Sequence, residues 1–163
     1  MEIVSLLPEH WEEVKAIYLE GIATGQATFQ TRAPTWEEWD KSHLPECRLV
    51  AIEAGKVCGW VALSPVSSRC VYAGVAEISV YIGQNYRGKQ VGTQLLQAVI
   101  AKSEKRNIWT LQASIFPENT ASIRLHQKNG FRIIGFREKV GKLKNVWRDV
   151  NLLERRSKIT GTD

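Results

Sequence analysis

The chain has 163 residues, of which 44% are hydrophobic and 24% are charged, and its formal net charge is +5. This size and composition predict one globular domain over residues 1–163, with a flexible, solvated tail from residue 155 onward. No segment is apolar over the length of a bilayer span and no secretory leader is recognisable, so we expect a cytoplasmic protein without membrane contact. Part of the positive charge lies in the tail, and no nucleic-acid reader motif accompanies it, so nucleic acid is not an expected partner.

The first part of the chain contains an edge strand and two helices. A short apolar segment over residues 2–7 predicts the strand. Apolar residues then recur every three or four positions up to a glycine stop at Gly25, and this stripe consists of Trp11, Val14, Ile17, Tyr18 and Ile22. Thr35 and Glu38 have the spacing of a capping box, which predicts a second, short helix over residues 35–43.

Strands follow these helices. Two β-rich runs, residues 48–53 and 57–63, flank Ala54-Gly55-Lys56 and predict a hairpin. The next strand, residues 76–82, alternates between two faces, because successive side chains of a strand point in opposite directions. One face carries Ala76, Ile78, Val80 and Ile82, and the other carries Glu77, Ser79 and Tyr81.

The second half of the chain alternates helices and strands before a closing hairpin. The predicted elements are a helix over residues 91–105, a strand over 109–115, a helix over 119–129, and strands over 131–139 and 143–153. Asn119 and Gly130 suit the start and the end of the predicted helix over residues 119–129, and Gly141-Lys142 suits the turn of the final hairpin. This order predicts a mixed sheet with helices on both faces, an α/β fold that some schemes class as α+β.

The three cysteines, Cys47, Cys58 and Cys70, are an odd number and lack the spacing of metal ligands. They therefore predict reduced thiols rather than a disulfide framework. We expect all three to be small buried side chains in a protein that binds no metal.

A basic turn lies between the strand over 76–82 and the helix over 91–105. It reads Arg87-Gly88-Lys89-Gln90-Val91-Gly92. Such a turn presents free main-chain N–H groups and the positive end of the helix, while its glycines permit close approach and its cations add counter-charge. A phosphate group is therefore its expected ligand. The spacing fits neither the dinucleotide-binding fingerprint nor a Walker loop.

This turn, together with Val80-Tyr81-Ile82 before it and the run from Asn119 through Leu125-His126-Gln127-Lys128-Asn129-Gly130-Phe131, resembles the GCN5-related N-acetyltransferases. Further residues narrow the resemblance to the phosphinothricin acetyltransferase subfamily, namely Arg69, Tyr72, Glu77 in "AEISVYI", and the late "VWRDV". The resemblance implies a mixed, mostly antiparallel sheet, acetyl-CoA as cosubstrate and a homodimer. It also implies acetylation of the amino group of a small substrate such as phosphinothricin or methionine sulfoximine or sulfone, and hence resistance to such compounds.

The resemblance assigns the cofactor site to the strand, the turn and the start of a later helix. The implied acetyl-CoA residues are Val80, Tyr81, Ile82, Arg87, Gly88, Lys89, Gln90, Val91, Gly92, Thr93 and Asn119. In the family, main-chain amides of the turn hold the pyrophosphate, and Asn119 would hold the pantetheine arm. One departure is that Gln90 stands where the family motif has its first glycine.

Acyl transfer to an amine requires a neutral amine, stabilisation of an oxyanion and protonation of a thiolate. By resemblance, Glu77 is the base that acts on the amine, directly or through water, and a main-chain N–H of Val80 or Tyr81 is the oxyanion donor. His126 shares a helix stripe with Asn119 and Ser122 and is a candidate for the acid or for a hydrogen-bond partner of the cofactor.

The amino-acid substrate would be bound by residues outside the cofactor motif. Arg69 and Tyr72 precede the Glu77 strand and suit a substrate carboxylate, and Phe29 would cover the substrate side chain. Alternatives are an acetyltransferase for polyamines or protein N-termini, although Arg69 favours an anionic substrate, and a module that binds acetyl-CoA without turnover. A covalent route through Cys70 would need an activating base that the sequence does not identify.

Overall fold

Seven strands form one sheet, and helices flank it on both faces. The computed structural model describes residues 1–163 without a gap. The strands are β1 (Glu2–Ser5), β2 (Arg48–Glu53), β3 (Lys56–Pro65), β4 (Val75–Ile82), β5 (Thr110–Ile115), β6 (Arg132–Leu143) and β7 (Val146–Arg156). The α-helices are α1 (Trp11–Thr24), α2 (Trp36–Ser42), α3 (Val91–Lys105) and α4 (Thr120–Lys128).

The strand order is β1-β2-β3-β4-β5-β7-β6, and every neighbouring pair is antiparallel except β4 and β5. The parallel pair arises because α3 connects these two strands, and a parallel connection needs a crossover segment of this kind. The mixed, mostly antiparallel sheet confirms the predicted fold class.

Local sequence signals explain where the first two helices begin and end. Gly25 ends α1 in the left-handed conformation, with φ of 68°, and its N–H donates to the carbonyl of Ile22. Thr35 caps α2: its hydroxyl accepts from the N–H of Glu38, and the Glu38 carboxylate accepts from the N–H of Thr35. Both predicted helix ends are therefore confirmed.

Two hydrophobic clusters cover the two faces of the sheet. The larger contains Ala76 and Ile78 of β4 together with the buried side of α3. The smaller, under α1 and α2, contains Trp11, Trp39 and Trp60, with Tyr81 of β4 packed against it. The predicted alternation along β4 is confirmed, because its even-numbered residues face α3 and its odd-numbered residues face α1 and α2. This alternation separates the environments of Val80 and Tyr81.

The closing hairpin differs from its prediction. Its turn is Lys144-Asn145, where both residues have positive φ of 49° and 66°, and Gly141-Lys142 lies inside β6, paired with β7. Successive positive φ values characterise the two-residue turns that match the twist of a hairpin. The glycine at 141 has a different use, because a side chain there would contact Phe29 at 3.2 Å.

Two smaller expectations are also corrected. The solvated tail does not begin at residue 155, because Arg155 and Arg156 lie in β7 and the Arg156 guanidinium donates to the carbonyls of Ser157, Thr160 and Gly161. Of the cysteines, Cys47 and Cys58 are buried as predicted, whereas Cys70 is exposed.

Candidate active site

The sheet opens between its two parallel strands. The pairing of β4 with β5 consists of Val75 with Thr110, Ala76 with Leu111, and Glu77 with Gln112, and it ends there. Residues 78–82 of β4 and 113–115 of β5 therefore diverge. A strand edge inside a sheet is left without a partner, and its main-chain groups are free to bind a ligand.

The register decides which residues face this opening. The N–H of Gly83 donates to the carbonyl of Cys58 on β3, so the odd-numbered residues of β4 direct their main-chain groups toward β3. On the other side the carbonyl of Gly74 accepts from Thr110 of β5, as expected if even-numbered residues face β5. The N–H groups in the opening are therefore those of Val80 and Ile82. Of the two oxyanion donors considered, the main-chain N–H of Tyr81 points to β3.

The start of α3 offers a row of unpaired donors. No main-chain N–H of residues 88–93 makes a hydrogen bond within the protein, and the first helical bond runs from Gln94 to Gln90. Gly88 and Gln90 both have positive φ, 75° and 67°. This conformation orients successive amides toward one point, and together with the helix dipole it makes the turn an anion site.

Gln90 is the residue at which the motif departs from glycine, and its left-handed backbone explains why glycine suits the position. A residue with a Cβ is strained there by about 1–2 kcal/mol, while glycine costs about 0.5–1 kcal/mol in conformational entropy. We expect Gln90→Gly to raise the free energy of unfolding by about 0.5–1 kcal/mol, measured by urea denaturation. Ala54→Gly is the matched control, because Ala54 also has positive φ, 50°, in an exposed hairpin turn. If the free energy of unfolding fell in Gln90→Gly but not in Ala54→Gly, the result would contradict backbone strain at Gln90.

A cavity of about 850 Å³ runs from the opening to this turn and continues along α4. Its walls include Val80, Tyr81, Ile82, Arg87, Gly88, Gln90, Val91, Gly92, Thr93 and Asn119, so ten of the eleven residues predicted to hold the cofactor meet at one site. Lys89 is the exception, with its ammonium 5.8 Å from the centre of the Tyr86 ring. Arg124 and Lys128 of α4 also line the cavity. With Arg87 they supply three cations to one wall.

Gly92 permits the close approach of α4. A Cβ at this position would lie 2.9 Å from Leu125. The glycine thus brings Arg124 and Lys128 to the amide-rich start of α3. The second glycine of the motif has a packing role here rather than a conformational one.

Glu77 lies at the last paired position, where the strands begin to diverge. One carboxylate oxygen, Oε1, accepts from the side-chain amide of Gln112 at 2.9 Å and from the hydroxyl of Ser114 at 3.4 Å. Neither hydrogen bond occupies the second oxygen, Oε2. Gln112 and Ser114 of β5 therefore fix the carboxylate at the end of the opening, and Oε2 remains free to accept a proton.

His126 is buried, with 4% of its surface exposed, and it does not line the cavity. Its Nδ1 lies 2.7 Å from the carbonyl of Ser122, so this nitrogen carries the proton in the neutral ring. Burial lowers the pKa of His126, and the bond to Ser122 partly offsets this effect. At neutral pH the Nε2 atom is consequently a hydrogen-bond acceptor.

Buried His126 and half-buried His43 predict a loss of stability in acid. Burial lowers the pKa of His43 too, with a further contribution from Arg48, and the bond to the Trp39 carbonyl opposes it. The unfolded chain therefore binds more protons below about pH 6.5, so the free energy of unfolding should be highest above that pH and fall as the pH falls. We expect His43→Gln and His126→Gln, singly and together, to reduce the slope of the free energy of unfolding against pH in this acidic range. An unchanged slope in the double variant would contradict the assignment.

The residues predicted to bind the amino-acid substrate are not gathered in this cavity. The Arg69 guanidinium lies 5.5 Å from the centre of the Tyr72 ring, so these two are together, in the loop before β4. Phe29 instead packs edge-on against Phe116, with ring centres 4.9 Å apart. Neither pair lines the cavity.

Arg148 lies in the segment "VWRDV" that carries part of the family resemblance, but no role in the site was predicted for it from the sequence. The side chain is 12% exposed. Its guanidinium donates to the carbonyl of Gly25 and to the side chain of Gln26, and it lies 4.0 Å from the centre of the Phe116 ring. It also contacts Glu118 at 3.4 Å. Because Gln26 and Glu118 line the cavity, Arg148 fixes two loops across its mouth. These contacts join distant parts of the chain, so no local pattern encodes them.

An opened parallel strand pair, unpaired amides at a helix start and a cationic wall define a protein that binds an extended ligand carrying phosphate groups. The sequence profile of the acetyltransferase (GNAT) family matches residues 7–131. The chain belongs to this family, and it is an acyltransferase that uses acetyl-CoA.

Named relatives resemble almost the whole chain. YwnH of Bacillus subtilis, named provisionally as a phosphinothricin acetyltransferase, is 33% identical over 91% of this chain and 96% of its own. The L-methionine sulfoximine/L-methionine sulfone acetyltransferase of Pseudomonas aeruginosa is 34% identical over 82% of this chain and 73% of its own. The crystal structure of a phosphinothricin acetyltransferase from Sinorhizobium meliloti in complex with AcCoA has the same fold, with a TM-score of 0.87 at 23% identity, covering 99% of this chain and 91% of the other.

Proposed function

We propose that this acetyltransferase transfers the acetyl group of acetyl-CoA to the α-amino group of a small amino-acid-like substrate of the phosphinothricin, methionine sulfoximine or methionine sulfone type. The amine attacks the thioester directly. The observation that carries the proposal is the position of Glu77, at the end of an open strand edge that leads to the unpaired amides of α3. The names of the relatives support the substrate class.

In this proposal the amides of residues 88–93 hold the pyrophosphate, and Arg87, Arg124 and Lys128 neutralise the phosphate charges. The pantetheine arm extends along the opening and pairs with the main chain of Val80 and Ile82, as a strand would. Asn119 contributes less than expected, because its side-chain oxygen accepts from the N–H of Ser122 and its NH₂ group donates to the carbonyl of Gln26. Its remaining N–H is available to the arm.

The proposed chemical step uses one side chain and one main-chain group of β4. Glu77 takes a proton from the substrate ammonium, directly or through water, through its free carboxylate oxygen. The N–H of Val80 donates to the oxyanion as it develops. The amine nitrogen forms the new C–N bond while the C–S bond breaks, and the second proton of the nitrogen passes to the departing sulfur, so coenzyme A leaves as the free thiol. His126 has no direct part in this step, because it is buried outside the cavity, where its ring bonds to the Ser122 carbonyl and packs against Phe131.

The test is release of the free thiol from acetyl-CoA in the presence of candidate amines. The panel contains phosphinothricin, methionine sulfoximine, methionine sulfone, free amino acids, spermidine and a short peptide. We expect turnover with the first three. Turnover only with spermidine or with the peptide would support the alternative acetyltransferases, and binding of coenzyme A without thiol release would support a non-catalytic module.

The last hairpin offers a surface for a second copy of the chain. Large apolar side chains are exposed along β6 and β7, among them Phe136 at 58%, Val146 at 59% and Trp147 at 54%. An apolar surface of this kind on a protein in water favours association, and we infer a homodimer through this hairpin. A sedimentation experiment that detects only monomer at micromolar concentration would exclude it.

No helix of the protein is long and apolar enough to cross a bilayer. We place the enzyme in the cytoplasm, where acetyl-CoA is made available to such acetyltransferases. Acetylation of glutamate analogues there would give resistance to them.

A further inference from the structure

Two carboxylates of α1 accept hydrogen bonds from main-chain N–H groups at one end of the sheet. Glu13 Oε2 accepts from the N–H of Val57 at 2.9 Å, and Glu20 Oε2 accepts from the N–H of Gln84 at 2.9 Å. Glu13 and Glu20 are separated by two helical turns, so they lie on the same side of α1. The two bonds span 44 and 64 residues of chain, so no local pattern in the sequence indicates them.

The two donors lie on neighbouring strands. Val57 is the second residue of β3, and Gln84 lies two residues beyond the end of β4. Between them the N–H of Gly83 donates to the carbonyl of Cys58 at 2.9 Å, beyond the last residue pair of the two strands. The two carboxylates of α1 therefore make equivalent bonds in similar surroundings, but only Gln84 belongs to the segment between β4 and α3.

The bond made by Glu20 reaches the segment that leads into the cofactor turn. Residues 84–86 form one turn of 3₁₀-helix, closed by the N–H of Tyr86, which donates to the carbonyl of Gly83 at 2.9 Å. The row of unpaired amides, residues 88–93, starts two residues after this turn. The first N–H groups of a helical turn have no partner within it, and a carboxylate is a favourable acceptor for them. Glu20 therefore holds the segment from which the amide-rich turn extends.

Glu20 lies outside the cofactor cavity. From α1, the walls of this cavity contain Ile17, Gly21 and Thr24 but not Glu20. The Glu20 carboxylate therefore acts on the cofactor only through the main chain or through its charge, and a negative charge opposes the binding of a polyanion such as coenzyme A. The charge and the hydrogen bond thus have opposite effects on the affinity, so the sign of a measured change tells which of the two dominates.

We propose that Glu20 is a positioning residue for acetyl-CoA, which holds the segment 84–86 so that the amides of residues 88–93 converge on the pyrophosphate. Coenzyme A binds only the converged conformation, so its Kd rises in inverse proportion to the fraction of protein in that conformation. The bond from Gln84 to Glu20 increases this fraction. The inference rests on the proposed function in placing the pyrophosphate at this turn, and it does not depend on the identity of the acceptor amine.

Calorimetric titration with coenzyme A compares the unmodified protein with three variants. We expect Glu20→Ala to raise the Kd about 5- to 20-fold, although this substitution removes a negative charge. Glu20→Gln keeps an oxygen that can accept from the N–H of Gln84, so its Kd should stay within about twofold of the unmodified value or fall below it. Glu13→Ala is the matched control, because it removes the same charge and an equivalent bond of α1 but leaves the segment 84–86 in place. Its Kd should also stay within about twofold of the unmodified value.

Turnover and unfolding separate this role from a purely structural one. Saturating acetyl-CoA restores the converged turn, so in Glu20→Ala the KM for acetyl-CoA should rise while kcat stays within about twofold of the unmodified value. The two alanine variants should lose similar amounts of stability in urea denaturation, because each loses one equivalent bond.

Two results overturn the inference. One is an equal Kd for coenzyme A in Glu20→Ala and Glu13→Ala, and the other is a loss of affinity in Glu20→Gln as large as that in Glu20→Ala. Binding and turnover also distinguish this inference from the proposed function. If the Kd changes as expected while no amine of the substrate panel releases thiol from acetyl-CoA, the role of Glu20 holds and the proposed acetyl transfer fails.

Discussion

Replacing Glu77 by glutamine is expected to lower kcat about 100-fold or more at pH 7, with little change in the affinity for coenzyme A. Glutamine keeps the size of the side chain and the oxygen that accepts from Gln112, so the end of the strand opening should stay intact. What it removes is the second carboxylate oxygen, the group that takes the proton. An α-amino group has a pKa near 8, so most of the substrate is protonated at pH 7 and needs this base.

The pH profile separates this role from a structural one. The difference between the Glu77→Gln variant and the unmodified enzyme should narrow between pH 7 and 9.5, because solvent removes the proton from the amine at high pH. Glu53→Gln is a matched control, since Glu53 ends β2 at an exposed position away from the opening. Unchanged turnover of Glu77→Gln at pH 7 would remove this residue from the mechanism.

Reversing the charge of Arg87 and Arg124 together is expected to weaken the binding of coenzyme A about 100-fold or more at low ionic strength. Both residues line the large cavity, on the side where α4 approaches the start of α3. An interaction between unit charges about 4 Å apart near a protein surface is worth about 4 kcal/mol before salt screening, and the Arg87→Glu, Arg124→Glu variant makes two such interactions repulsive. Calorimetric titration with coenzyme A measures the effect.

Salt and a second variant test whether this loss is electrostatic and local. The loss should shrink as the salt concentration rises from 0.01 to about 0.5 M, because exposed charges are then screened over a few ångströms. Lys105→Glu with Arg106→Glu changes the net charge by the same amount at the far end of α3, where both side chains are exposed. An equal loss in this control would mean that net charge, rather than a phosphate site, determines the affinity.

The sequence predicted most of the fold because its signals are local. The capping box at Thr35, the glycine stop at Gly25 and the alternation along β4 each depend on contacts within a few residues. The amide-rich turn was predicted for the same reason. The turn of the closing hairpin was misplaced because Lys144-Asn145 adopts positive φ without a glycine, while the glycine at 141 has its use in contact with Phe29.

Other properties of the site depend on tertiary contacts that no local pattern records. The divergence of β4 from β5 appears only in the pairing of the sheet, and so does the assignment of Val80 rather than Tyr81 to the opening. The burial of His126 depends on Ser122 and on the ring of Phe131, 5.0 Å away. Arg148 reaches Gly25 across more than a hundred residues of chain. Such contacts decide which predicted residues act together.

Within the sheet, strands β1–β4 are joined to strands β5–β7 only by the pairing of β4 with β5. This pairing consists of three residue pairs. Strands β1–β4 and strands β5–β7 are consequently two blocks whose amide protons should exchange with solvent as separate cooperative units. A cofactor that forms hydrogen bonds with Val80 and Ile82 extends the hydrogen bonding of β4 beyond this pairing. Acetyl-CoA would then slow amide hydrogen exchange in both blocks at once. The two blocks would behave as one cooperative unit only while acetyl-CoA is bound.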